Sequence, residues 1–315
     1  MEMINFKKIF KMYGGILIGL IALIAVFSFL SPSFREFNNI LNIILQVSII
    51  AISAFGMTFA LIIAGIDLSI GSIIALSGTS AALLLNLKVP FALALALCLL
   101  MGVILGFING FLISKAEIPA FIVTVATMGI FRGIAYILTG GGPVQIANEK
   151  FLYLGNEKLF GIPFPIVILI VVFIIMNIIL GKTKFGRQAY IIGGNEEAAL
   201  YSGINVKKVK VYIYMLIGLL ASLSGIILAS RLYSGQPNSA NGYELDAIAA
   251  AVLGGTSLSG GYGTITGTFI GAIIIGVINN GMNLLNITYF YQLIVKGLVI
   301  ILAVYFDVQS KKKKK

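Results

Sequence analysis

Along the chain, long apolar runs alternate with short polar breaks, and the runs have the length of a membrane-spanning helix. About 20 consecutive apolar residues cross the hydrocarbon core of a bilayer as a helix. Nine runs meet that measure: Tyr13–Leu30, Ile40–Ala64, Ile70–Leu87, Phe91–Ile113, Ala120–Leu138, Phe164–Leu180, Val211–Ser230, Ile265–Met282 and Tyr289–Phe306. A tenth, around Leu245–Leu253, is short and weak, and reads as a partial or re-entrant piece. Such a piece is tolerated only where its backbone is buried in protein. The pattern predicts an all-α polytopic membrane protein of about ten transmembrane helices. It forms a single transmembrane domain over residues 1–315, because no loop is long enough for a soluble module.

Composition sharpens this. Of 315 residues, 59% are hydrophobic and 10% charged, against about 25% charged in an ordinary soluble domain. The 36 glycines suit helices packed closely in lipid. There is no His or Trp, and Cys98 is the single cysteine. Metal sites built on His/Cys clusters, Cys–His nucleophiles and disulfide frameworks are therefore excluded, and no metal or cofactor is expected.

The net charge of +11 is distributed as a topology signal rather than as a nucleic-acid footprint. If the N-terminus lies inside and the chain crosses ten times, the inside segments hold fifteen basic residues: Lys7, Lys8, Lys11, Lys115, Lys182, Lys184, Arg187, Lys207, Lys208, Lys210 and the tail Lys311 to Lys315. Outside segments hold five: Arg35, Lys88, Lys150, Lys158 and Arg231. Arg132 and Lys296 fall within helices. This positive-inside bias places both termini, and the basic tail 307–315, in the cytoplasm. The run Tyr13–Leu30 is too long for a signal-peptide core and lacks a cleavage site, so it reads as the first span. The two long loops are Thr139–Pro163, outside, and the basic segment 181–210, inside.

No catalytic residues are expected. Gly181-Lys182-Thr183 resembles the end of a phosphate-binding loop, but Met176 stands where that motif needs glycine, and a spanning helix ends there. No carboxylates are paired at an acid/base spacing. If ATP powers this protein, another chain binds it. Gly102, Gly106 and Gly110, and again Gly263, Gly267 and Gly271, recur every four residues on one helix face, which predicts close helix packing.

Polar residues inside the runs point to a cavity or a bundle interior. Asn42, Gln46 and Ser53 share a face of one helix. Asn279, Asn280 and Asn283 lie near the end of another. Arg132 and Lys296 either line the interior with them or snorkel to the interface. A route lined by the amides of Asn42, Gln46, Asn279 and Asn283 suits a neutral polyhydroxylated solute and suits ions poorly. Asp67 is the one acid placed between two spanning helices, and it reads as a cap for the segment starting near Ser69. Within the inside loop, Asn195 caps a short helix with Glu196 and Glu197 in its first turn, ended by Gly203. Such a knob can dock a cytoplasmic partner.

At that knob the sequence resembles a known family. Glu197-Ala198-Ala199, three residues, then Gly203 matches the E-A-A-x-x-x-G signature of ABC-importer permeases, although the later I-x-L-P element is absent and no proline follows until Pro237. The stretches Gly56–Gly78, Pro119–Gly141, Gly193–Gly203 and Gly242–Gly263 resemble the monosaccharide, or ribose-type, branch, where that departure is usual. The resemblance implies that Glu196, Glu197, Ala198, Ala199 and Gly203 couple to a cytoplasmic ATP-binding subunit. It also implies a second permease copy, an extracytoplasmic sugar-binding protein and a neutral sugar cargo. Ribose is the expected sugar, with xylose, galactose, inositol, nucleosides and autoinducer-2 as cargoes of relatives. An ion-coupled transporter would instead need a titratable group at the bilayer midplane, and Asp67 is the sole candidate that the sequence offers.

Overall fold

The computed structural model describes residues 6–312. The side chains of Lys7, Lys8, Lys11, Lys311 and Lys312, and the whole of Lys313 to Lys315, lie outside the described residues. The described chain is helical apart from short strands. Its elements are α1 (Phe6–Leu30), α2 (Phe37–Ile62), α3 (Ile70–Asn86), α4 (Phe91–Ser114), α5 (Ala120–Thr139), α6 (Glu149–Asn156), α7 (Phe164–Lys182), α8 (Lys184–Gly194), α9 (Glu196–Tyr201), α10 (Val206–Arg231), α11 (Tyr243–Leu253), α12 (Ile265–Leu284) and α13 (Tyr289–Lys312). Seven of these contain a stretch long and apolar enough to cross a membrane: α1, α2, α4, α5, α7, α10 and α12. The chain is thus an integral, multi-pass membrane protein.

The bundle is built around α2 and α10, which bury one face after another, whereas α1, α4, α5, α7 and α13 turn Ile, Leu, Val and Phe outward. That is the inverse of a soluble protein and is stable only where lipid replaces water. The α4 glycine face packs as the spacing predicts, whereas Gly263 lies ahead of α12 in the turn against Thr256 and Ile62, which leaves Gly267 and Gly271 on the second helix face. Gly102, Gly106 and Gly110 of α4 lie against the backbone of α10 at Gly218, Tyr214 and Val211. Gly267 and Gly271 of α12 lie against Gly254 and Ala250 at the end of α11. A Cβ at Gly106 would collide with the Tyr214 carbonyl, so glycine there sets the α4–α10 separation. At the end of the bundle remote from α9, Asn39 of α2 and Asn280 of α12 exchange hydrogen bonds of 3.0 and 2.8 Å. The amides satisfy one another in a place where neither can reach water cheaply.

Three elements depart from the sequence-based expectation. The weak tenth run is helix α11, entered from a non-helical leg. After α10, the chain pairs strand β2 (Ser234–Gly235) with β1 (Val144–Gln145), passes Gly78 and Gly71 of α3 in successive turns, and only then coils into α11. Its 232–242 leg contains Gln236, Pro237 and Asn238, which give no helical or apolar signal. The basic segment 181–210 contains α8 as well as the expected α9. The loop Thr139–Pro163 contains α6, whose Asn148 cap accepts from the Phe151 N–H at 3.1 Å.

Candidate functional site

One candidate site is the knob itself. Asn195 Oδ1 accepts from the Ala198 N–H at 2.9 Å, which is the expected cap. Gly203 ends the helix with φ +77, a left-handed conformation that disfavours a side chain. Ala199 corrects the expectation. It is fully buried in the protein's own core, so it seats α9 on the bundle and is not part of the outward surface of the knob. The outward surface is instead Ala198, Leu200 and Tyr201, the last 93% exposed. The knob is bolted down from behind: a Cβ at Gly193 of α8 would collide with the Ile62 carbonyl at the end of α2. That carbonyl also accepts from the Gly261 N–H at 2.8 Å, and Tyr190 of α8 donates to the Gly263 carbonyl at 2.6 Å. Lys210 pairs with Glu196 at 2.7 Å. Helix α8, which leads directly into α9, thus rests on the end of α2 and on the 254–264 turn that joins α11 to α12.

The other candidate site is a buried charge cluster where α11 begins. Lys296 of α13 lies 2.9 Å from both carboxylate oxygens of Asp246, which is fully buried. Asn279 of α12 donates to the same carboxylate at 3.3 Å. Arg132 of α5 donates from Nη1 to the carbonyls of Pro237 and Ser239, each at 2.7 Å, and so holds the 232–242 leg against α5. Glu244 lies within electrostatic reach of Arg132 and accepts from the Gly242 N–H at 3.2 Å. A Cβ at Gly71 would collide with the Glu244 carboxylate and the Ala240 carbonyl. The first turns of α3 and α11 thus meet at this point, inside the bundle. Two cations and two anions make the cluster neutral, and both acids sit in the positive first turn of α11.

Of the residues singled out in the sequence, Asn279, Arg132 and Lys296 converge on this region. Neither cation snorkels, because each is held by a partner across the bundle. Asn283 is exposed and accepts from Gln292 at 2.7 Å. Asn42 is exposed, Gln46 half-buried and Ser53 buried with its hydroxyl bonded to its own helix, so the three do not line one interior face. Asp67 is buried, and its Oδ1 accepts from the Ser69 N–H and hydroxyl at 2.8 and 2.6 Å. It closes the turn ahead of α3 and does not cap the first-turn N–H groups. Asn109 of α4 donates to Ser69 Oγ at 2.9 Å and locks the turn.

Glu244 and Asp246 are the acids that the sequence reading missed, and they overturn the expectation that Asp67 is the sole acid inside. One signal could have found them. Two intramembrane cations need counter-charges, and the weak tenth run carries two acids at its start.

The chain matches the family described as branched-chain amino acid transport system / permease component over residues 39–304. Ribose import permease protein RbsC of Bacillus subtilis is 50% identical over 306 residues, 96% of this chain and 95% of that protein. RbsC of Escherichia coli K12 is 46% identical over 306 residues, again 96% and 95%. The L-arabinose transport system permease protein AraH of the same strain is 43% identical over 311 residues, 99% of this chain and 94% of that protein. No solved structure matches the chain significantly. The match runs from the first turn of α2 into α13 and so includes the buried charge cluster and the knob, and the chain belongs to this family of transport-system permease components.

Proposed function

We propose that this chain is the membrane-spanning subunit of an ATP-driven ribose importer in the cytoplasmic membrane. The observation that carries the substrate is the 46–50% identity to ribose import permeases along nearly the whole chain. The seven long helices, with α3, α13 and the broken passage ending in α11, cross the bilayer ten times and leave both termini in the cytoplasm. The fifteen-to-five distribution of basic residues supports this topology. ATP is hydrolysed on a separate cytoplasmic subunit that seats on Ala198, Leu200 and Tyr201, with Glu197 and Gly203 at its edges. A second permease copy and an extracytoplasmic sugar-binding protein complete the machine.

The route passes beside the charge cluster, where opposite charges cancel and Asn279 and Asn283 offer amides. Such a wall exchanges hydrogen bonds with hydroxyl groups and has no net charge to attract an ion. Asn42 and Gln46 lie on the half-exposed side of α2.

The test pairs docking with transport. Gly203→Val strains a left-handed residue in open space, and Tyr201→Ala removes the most exposed ring. Both variants are expected to reach the membrane normally, to lose the ATPase during purification and to take up ribose at under a tenth of the parent rate. Parent-level uptake by both would move the docking site elsewhere. Uptake of arabinose in preference to ribose by the parent complex would replace the substrate.

A further inference from the structure

Helices α7 and α8 meet at Thr183 in an elbow, and the elbow faces α10 across an open groove of about 620 Å³. One end of the groove is polar, with Lys184 and Gln188 from α8 and Lys208 from α10. The other end is apolar, walled by Phe185, Tyr212 and Leu216. Lys208, Tyr212 and Leu216 recur every four residues on one face of α10, over roughly 12 Å at 1.5 Å per residue. The groove therefore grades from cationic to apolar along the helix.

The cations are the unusual part. Lys207 and Lys210, on the other side of α10, pair with Glu117 and Glu196 at 2.6 and 2.7 Å. Among the described residues, neither Lys184 nor Lys208 forms an ion pair, and no acid lines the groove. The Lys208 ammonium is drawn over the Tyr212 ring, 5.6 Å from its centre.

We propose that this groove holds an anionic phospholipid, with its phosphodiester between Lys184 and Lys208 and an acyl chain along Phe185, Tyr212 and Leu216. Both ends are needed to choose the occupant. A soluble anion satisfies the lysines and leaves the apolar wall bare, whereas a neutral lipid covers the wall and leaves the lysines unpaired. Juxtamembrane lysines facing the cytoplasmic leaflet select acidic headgroups by charge. The proposal rests on the topology given above, which places this end of α10 in that leaflet. A lipid here ties the elbow to α10, the two elements that flank α9.

The experiment uses the full chain in mixed micelles of equal phosphatidylglycerol and phosphatidylcholine, with retained lipid read by native mass spectrometry. The parent is expected to keep phosphatidylglycerol preferentially. Lys184→Gln with Lys208→Gln is expected to weaken that retention roughly twenty-five-fold, from about five-fold per lysine near an anionic surface. Lys207→Gln removes a paired cation on the opposite side and is expected to change nothing. Equal retention of the two lipids, or full retention by the double variant, would overturn the proposal. Displacement by inorganic phosphate would overturn it too, by showing a soluble-anion site. Binding is read without ATP or sugar, so a failed importer assay leaves this result interpretable.

Discussion

Helix α3 is entered through the turn that carries Asp67, and α11 through a longer leg of successive turns that leads to Glu244 and Asp246. Both helices begin inside the protein, and their first turns meet where Gly71 leaves no room beside the Glu244 carboxylate. The acids at the two thresholds are held differently. Asp67 is satisfied locally by Ser69, two residues away, and its second oxygen has no partner. Asp246 is satisfied across the bundle by Lys296, fifty positions on. A local turn sets the shape of one short segment. A long-range ion pair makes the position of α11 depend on α12 and α13. The contrast suggests that the α3 entrance is fixed scaffold and that the α11 entrance is the part able to respond.

The largest effect follows from breaking the long-range pair. Lys296→Met leaves a buried carboxylate without its counter-charge and is expected to cost about 3–5 kcal/mol, read as loss of monodisperse protein and a lowered melting temperature in detergent. Adding Asp246→Asn to it should recover most of the loss, because the uncompensated charge is then gone. If the double variant is as unstable as the single one, Lys296 acts by packing and not by charge.

A smaller effect is expected at the local turn. Asp67→Ala strands the Ser69 N–H and hydroxyl and should cost about 1–3 kcal/mol, whereas Asp67→Asn keeps the Oδ1 acceptor and should cost under about 1 kcal/mol. Melting curves of the two variants decide this. A cost for Asp67→Asn equal to that of Lys296→Met would make the charge, and not the turn, the function of Asp67, and the contrast would fail.

These differences explain what could be read before the fold was known. The long helices were legible, because lipid demands length and apolarity from each of them separately. The α9 cap and its glycine stop were legible because they are local. The glycine faces announced close packing through their spacing of four. Which way Ala199 faces could not be read, since two adjacent alanines give no amphipathic signal and the bundle behind them decides. Glu244 and Asp246 were hidden for a related reason: their short helix follows Gln236, Pro237 and Asn238, and the acids are acceptable in the interior only because of Arg132 and Lys296, contributed by distant helices.

The smallest effect concerns the exposed pair at the α9 end of the bundle. The Lys207 ammonium beside Glu117 holds that carboxyl below its ordinary range. A lowered carboxyl contributes above the ordinary carboxylate range and loses its contribution as pH falls through the lowered value. Both side chains are exposed to solvent, which screens the pair. Lys207→Met is therefore expected to leave the melting temperature at pH 7 within error of the parent, and the acid limb of a pH titration nearly superimposable. A clear shift of that limb would show that this end is held by charge as well.

Whether ATP moves a neutral sugar past a cluster whose charges cancel is decided in proteoliposomes that contain the permease, its ATPase and its binding protein, by following labelled ribose. Uptake is expected to require ATP hydrolysis and to continue when proton and sodium gradients are collapsed. Uptake by the permease without its ATPase, driven by either gradient and abolished by Asp246→Asn, would contradict that expectation and make the cluster an ion-coupling site.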